Sequence, residues 1–151
     1  MEITTSTLSS FLETKSYYKI KLHAVASNHF TIISKINGIK GVFILDTGAS
    51  NTFVDLNLEA KFKIRSEISS IEASGAGPNK LKTLHSKNNT ISLGNWTKKN
   101  FKVALIDLSY INGAFESIDA SRIDGIVGAD ILKTGKAIID YEKKYLYLKH
   151  K

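Results

Sequence analysis

The residues best suited to chemistry are Asp46-Thr47-Gly48-Ala49-Ser50. Asp46 closes an unbroken apolar run, Val42-Phe43-Ile44-Leu45. An ionised carboxylate there is costly unless partners hold it. Thr47 offers a hydroxyl, and Gly48 lets another stretch of backbone come close. A bland reading competes, because Asp-Thr-Gly is also good turn chemistry after a strand. Two later segments weigh against it. Gly75-Ala76-Gly77-Pro78-Asn79 reads as a glycine-rich hairpin tip suited to covering a substrate. Asp124-Gly125-Ile126-Val127-Gly128-Ala129-Asp130-Ile131-Leu132 is a second apolar stretch ending in glycine, followed by Ala137-Ile138-Ile139-Asp140-Tyr141.

Other chemistries find little support. The chain has no cysteine, which excludes disulfides, thiolate catalysis and thiolate-ligated metals. His23, His29, His85 and His150 show no metal-ligand spacing, so no metal and no cofactor are expected. Ser50 lacks the Gly-x-Ser-x-Gly setting of a hydrolase nucleophile. Asp124 and Asp130 read as acids that fix loop and helix backbone, and Trp96 as core or interface. The net charge of +7 is spread over scattered lysines, with Lys98-Lys99 and Lys143-Lys144 placed at turns and only Arg65 and Arg122 as arginines. That distribution favours a solvated surface over a nucleic-acid interface. No apolar run of about 18 residues offers a membrane span. The N-terminus lacks the pattern of a secretory signal, so a cytoplasmic chain is expected.

The positioning elements read as short strands. Phe30 to Ile36 and Ile39 to Leu45 flank Asn37-Gly38, a type I′ hairpin signal. The apolar end of the second strand implies burial on both faces. Asp55 is expected to cap a helix from Leu56 to Lys61. Polar strands follow near Ile64 to Ala73 and Lys80 to Ser86, on either side of the glycine tip. A turn at Gly94-Asn95 separates Ile91 to Leu93 from Trp96, and Phe101, Val103 and Leu105 alternate as in a strand. Ser109 to Ser121 reads as loop or irregular helix, and Ile123 to Val127 as a strand. Ala129 to Thr134 reads as a helix with Gly135 at its C′ position. A last hairpin turns at Glu142-Lys143-Lys144, and a helix is arguable around Thr7 to Lys15. The class is mainly β.

From Phe30 to Lys149 the chain resembles the retropepsin-like aspartic proteases, including their single-domain bacterial members. Asp46-Thr47-Gly48 matches the catalytic triplet, Ile126-Val127-Gly128 the second signature, and Gly75-Ala76-Gly77 falls where the family places its flap tip. The resemblance implies a closed β-barrel-like acid protease fold, one lobe per chain, with a short helix after the second signature. It places an N-terminal extension or first strand in residues 1–29 and the protease domain in 30–151. Asp46 is then the catalytic acid, while Thr47, Gly48, Ala49 and Ser50 form its loop. Thr47 braces the paired loops across a dimer axis, and Gly48 hydrogen-bonds the bound peptide. Gly75, Ala76 and Gly77 close over that peptide, and Ile126, Val127 and Gly128 are structural. Ser50 and Ala129 stand where retroviral enzymes carry an acid and an arginine, so both charges are missing together.

With one triplet per chain, the implied enzyme is a homodimer in which two Asp46 carboxylates share a proton and activate water. The expected activity is an aspartic endopeptidase acting on a peptide or protein substrate. The alternative is a catalytically silent dimeric peptide-binding module of the same fold. Neither nucleic acid nor membrane is an expected partner.

Overall fold

The computed structural model describes residues 6–68, 83–117 and 122–150. The expected flap tip, Gly75-Ala76-Gly77, lies outside them. In chain order the elements are α1 (Leu8–Thr14), β1 (Tyr17–Lys21), β2 (His23–Ala24), β3 (Phe30–Ile36), β4 (Ile39–Leu45), β5 (Phe53–Asp55), a 3-10 turn (Leu56–Leu58), β6 (Glu67–Ile68), β7 (Leu84–Leu93), β8 (Trp96–Ile106), α2 (Ser109–Ser117), β9 (Gly125–Val127), α3 (Ala129–Thr134), β10 (Ile138–Asp140) and β11 (Tyr145–Lys149).

Strands β3, β4, β9, β5, β8 and β7 follow one another in the larger sheet, and β7 pairs back onto β3 through Lys35↔Ser92 and Ile36↔Ile91. The ring therefore closes into a six-stranded barrel, which removes most of the open edge a sheet would otherwise expose. The expected β3–β4 hairpin forms in register from Phe30↔Leu45 to Ile36↔Ile39. Its apolar end is buried on both faces as expected. Phe43 and Leu45 point into the main core, while Ile44 joins a second cluster with Leu108, Ile123 and Ile126 under α2. A smaller sheet, ordered β1-β11-β10, sends Ile20, Leu146 and Leu148 into the main core.

Several boundaries differ from expectation. Strand β9 begins at Gly125, because the backbone of Ile123 is bonded by a side chain: its N–H donates to Asn112 Oδ1 (2.8 Å) and its carbonyl accepts from Asn112 Nδ2 (3.1 Å). The helix after Asp55 is a single 3-10 turn, although Asp55 caps it by accepting from Asn57 N–H. Lys98 and Lys99 lie within β8 rather than at a turn. Among the described residues, the polar strands flanking the tip reduce to Glu67–Ile68 and to the start of β7 at Leu84.

Gly135 is the C-cap of α3 with φ −86°, and the left-handed residue is Lys136 (φ 47°). Ala137 N–H donates to Leu132 O and Lys136 N–H to Lys133 O, the paired bonds of a Schellman motif. Gly135 instead leaves room for Leu148, since a Cβ there would lie 2.7 Å from Leu148 Cδ2 and that side chain would have to shift.

Asn37 does more than turn the hairpin. It adopts φ 51° beside Gly38 at 83°. Its Nδ2 donates to Phe62 O (2.9 Å) and Asn89 Oδ1 (2.9 Å), and its Oδ1 accepts from Thr90 N–H (2.9 Å). One amide thus ties β3 to β7 and to the chain after β5. Asn37→Ala should destabilise the fold by about 2–3 kcal/mol, through stranded partners and a left-handed non-glycine residue. Urea unfolding measures this, and a change under about 0.5 kcal/mol would contradict it.

Candidate active site

Asp46 sits where the doubly buried β4 reaches the surface. Its N–H donates to Val127 O (3.0 Å), continuing the parallel pairing of β4 with β9. Its side chain is half-buried, and Thr47, Gly48 and Ser50 are exposed. Oδ1 accepts from Gly48 N–H (2.9 Å), and the Asp46 carbonyl accepts from Ala49 N–H (3.2 Å). The chain thereby folds back on the carboxylate, which holds one oxygen against a backbone donor. Ala49 packs its side chain toward the Ile44–Ile126 cluster.

The loop is fixed from below by the second apolar stretch. Ala129 N–H donates to Ala49 O (2.7 Å). Thr52, fully buried, donates its N–H to Asp130 Oδ2 (2.9 Å) and its hydroxyl to Asp130 Oδ1 (2.7 Å). The same hydroxyl accepts from Gly128 N–H (3.1 Å). A directed chain runs Gly128 N–H to Thr52 hydroxyl to Asp130 carboxylate, and Asp130 Oδ1 also accepts from Ile131 N–H (2.8 Å). Gly128 must be glycine, because a Cβ would fall 2.3 Å from Asn51 O. Val127 is fully buried in the main core and Ile126 is buried in the second cluster. Asp124 works at the other end of β9: Oδ2 accepts from Val42 N–H (2.8 Å), and Lys61 Nζ stands 3.8 Å from Oδ1.

The structure therefore brings Asp46 to Ala49 together with Ile126, Val127 and Gly128. It adds residues that the sequence alone did not single out. Thr52 is one, hidden in the polar Ser50-Asn51-Thr52 run. A polar pocket of about 180 Å³ beside Asp46 and Thr47 is lined by Asn28, His29, Phe30, Leu45, Ile139 and Tyr141. Only folding brings these distant segments together. Among the described residues, no three His, Asp or Glu side chains gather as a metal ion would require. Nor is any helix among them long and apolar enough to cross a membrane.

The loop anchor is testable. Thr52→Val keeps the shape and the backbone bond to Asp130 Oδ2, but it takes the acceptor from Gly128 N–H and one of two donors from Asp130 Oδ1. It should destabilise the protein by about 1–3 kcal/mol in urea unfolding. A variant as stable as the parent chain would show that the hydroxyl does not hold the loop.

Comparison with known proteins bears on this arrangement. A family described as aspartyl protease matches residues 32–131, from β3 into α3. No curated protein matches the chain in sequence. Among solved structures, a retropepsin-like aspartic protease from Rickettsia conorii shares 21% identity over 87% of this chain and 90% of its own, with a TM-score of 0.56. The EIAV protease, solved with an inhibitor, shares 20% over 74% and 91%, with a TM-score of 0.53. The retroviral protease-like domain of Ddi1 from Leishmania major shares 17% over 80% and 88%, with a TM-score of 0.56. The likeness to these structures is one of fold, a retropepsin-like barrel, and with the family sequence matched across that barrel the chain belongs to the aspartyl protease family.

Proposed function

We propose that the protein is an aspartic endopeptidase that cleaves extended peptides as a homodimer, with Asp46 of each copy forming the catalytic dyad. The observation that carries this reading is the setting of Asp46. A single carboxylate per chain is delivered to the surface by a strand buried on both faces, with one oxygen held by Gly48 N–H.

In the proposed mechanism two Asp46 carboxylates approach to about 3 Å and share one proton. The ionised one takes a proton from a water molecule as that water attacks the scissile carbonyl carbon. The protonated one hydrogen-bonds the carbonyl oxygen and offsets the charge that develops there. The proton then passes to the departing amine, the C–N bond breaks and the dyad returns to its shared state. Thr47 is assigned to bracing the paired loops, and the exposed backbone of Gly48 to the substrate main chain. Gly75, Ala76 and Gly77 are assigned to the flap.

Asp46→Asn tests the assignment, because it preserves volume and the Gly48 contact while removing the ionisable group. Peptide cleavage should fall by about 10³ or more, with the unfolding midpoint close to that of the parent chain. Activity within a few-fold of the parent would remove Asp46 from the mechanism.

A further inference from the structure

We infer that the open edge of β1 and the turn between β7 and β8 form a docking site for an extended acidic segment of a protein substrate, away from Asp46. The role of substrate rests on the protease reading above; the site itself does not.

Lysines far apart in the sequence are gathered by the fold into two adjoining hollows. One, of about 390 Å³, is lined by Lys19, Lys21, Lys35 and His23 together with Ser92 and Asn95. The other, of about 330 Å³, is lined by Lys98, Lys99, Lys149 and His150 together with Thr97. They meet at the hairpin, where the Ser92 and Thr97 hydroxyls stand 3.1 Å apart. Among the described residues no Asp or Glu lines either hollow. The only ion pair among those residues joins Lys61 to Asp124, so no carboxylate neutralises the six lysines of the hollows. Two of them are held over aromatic rings instead: Lys19 Nζ over Tyr145 (4.1 Å to the centroid) and Lys149 Nζ over Tyr17 (6.0 Å). Such contacts fix a cation without cancelling its charge. Neither hollow shares a residue with the pocket beside Asp46.

The shape selects a strand. Lys19, Ile20 and Lys21 follow one another in β1 and all line the first hollow, although neighbours in a strand point to opposite faces. The hollow therefore runs along the edge of β1 and not across one face. Strand β11 occupies the other edge, so this one offers unpaired main-chain groups with which an extended peptide can pair. Lys19 and Lys21 repel most strands that approach the edge. A strand with acids at alternate positions turns that repulsion into attraction, because its carboxylates repeat every second residue, as the lysines do. A nucleic acid fits less well. Neither hollow has an arginine for bidentate phosphate contact. Trp96 is buried, and the exposed large apolar side chains among the described residues, Leu8, Phe11, Tyr110 and Tyr141, lie outside both hollows, which leaves bases no exposed Phe, Tyr or Trp to stack on.

The probe is a short end-blocked peptide alternating Glu and Thr, with a Gln-for-Glu copy as neutral control. By fluorescence anisotropy at low salt the acidic peptide should bind the parent chain about tenfold more tightly than the copy, and binding should weaken as salt rises. Lys19→Gln with Lys21→Gln should weaken it about tenfold, and so should Lys98→Gln with Lys99→Gln. Lys87→Gln with Lys102→Gln removes as much charge from the far end of the same hairpin and should cost under about twofold. Asp46→Asn should leave binding unchanged. Appending the Glu-Thr stretch through a flexible linker to a peptide that the parent chain cleaves should lower KM about tenfold at constant kcat, and the variant lacking Lys19 and Lys21 should lose that gain. Equal losses from all three lysine pairs would reduce the effect to bulk charge, and tighter binding of an oligothymidylate would make the occupant a nucleic acid; either result overturns the site. Binding that depends on the lining lysines with no change in KM overturns the substrate role. A parent chain that cleaves no peptide overturns the protease reading and the substrate role with it, whereas the binding measurements do not depend on cleavage.

Discussion

The hydrogen-bonded seam between the loop after β4 and the start of α3 is the constraint on which the rest depends. A strand buried on both faces ends in a carboxylate, and the chain must turn at once to keep that group at the surface. The turn is held by the second apolar stretch as well as by its own hydrogen bonds. Val127 O receives Asp46 N–H, Ala49 O receives Ala129 N–H, and the Thr52 hydroxyl joins Gly128 to Asp130. The barrel closes because β9 lies between β4 and β5, so the strand that completes the barrel also supplies the floor of the loop. Fold and site are therefore one problem, and a side chain added at Gly128 would disturb both.

Much of this was legible in the amino-acid order. Asn37-Gly38 identified the β3–β4 hairpin because few residue pairs accept two positive φ angles. The run Val42 to Leu45 announced double burial because no polar residue interrupts it. Asp124 and Asp130 were readable as backbone-fixing acids from their places beside a glycine-rich stretch, and the structure gives each its backbone donors. The resemblance to retropepsin-like proteases rested on two short motifs, and the barrel and the family match agree with it.

What escaped the sequence is what only folding creates. Thr52 looks like a loop residue until Asp130, far along the chain, is packed against it. Asn112 looks like a helix residue until it binds the backbone of Ile123, which also shortens the strand expected there. Gly135 was read as the left-handed end of α3 because glycine favours that conformation. Lys136 takes it instead, while Gly135 makes room for Leu148. The pocket beside Asp46 joins segments from both ends of the chain, among them Asn28 and Tyr141, and no local pattern could have paired them.

The central claim is that one Asp46 makes half a catalytic site. Mixing parent chain with Asp46→Asn chain at fixed total concentration, after exchange of subunits, tests it most directly. If each active site needs two carboxylates, the cleavage rate should fall as the square of the parent fraction, leaving about a quarter of the activity in an equal mixture. A rate that falls in simple proportion, with about half remaining, would mean that each chain works alone and would contradict the account.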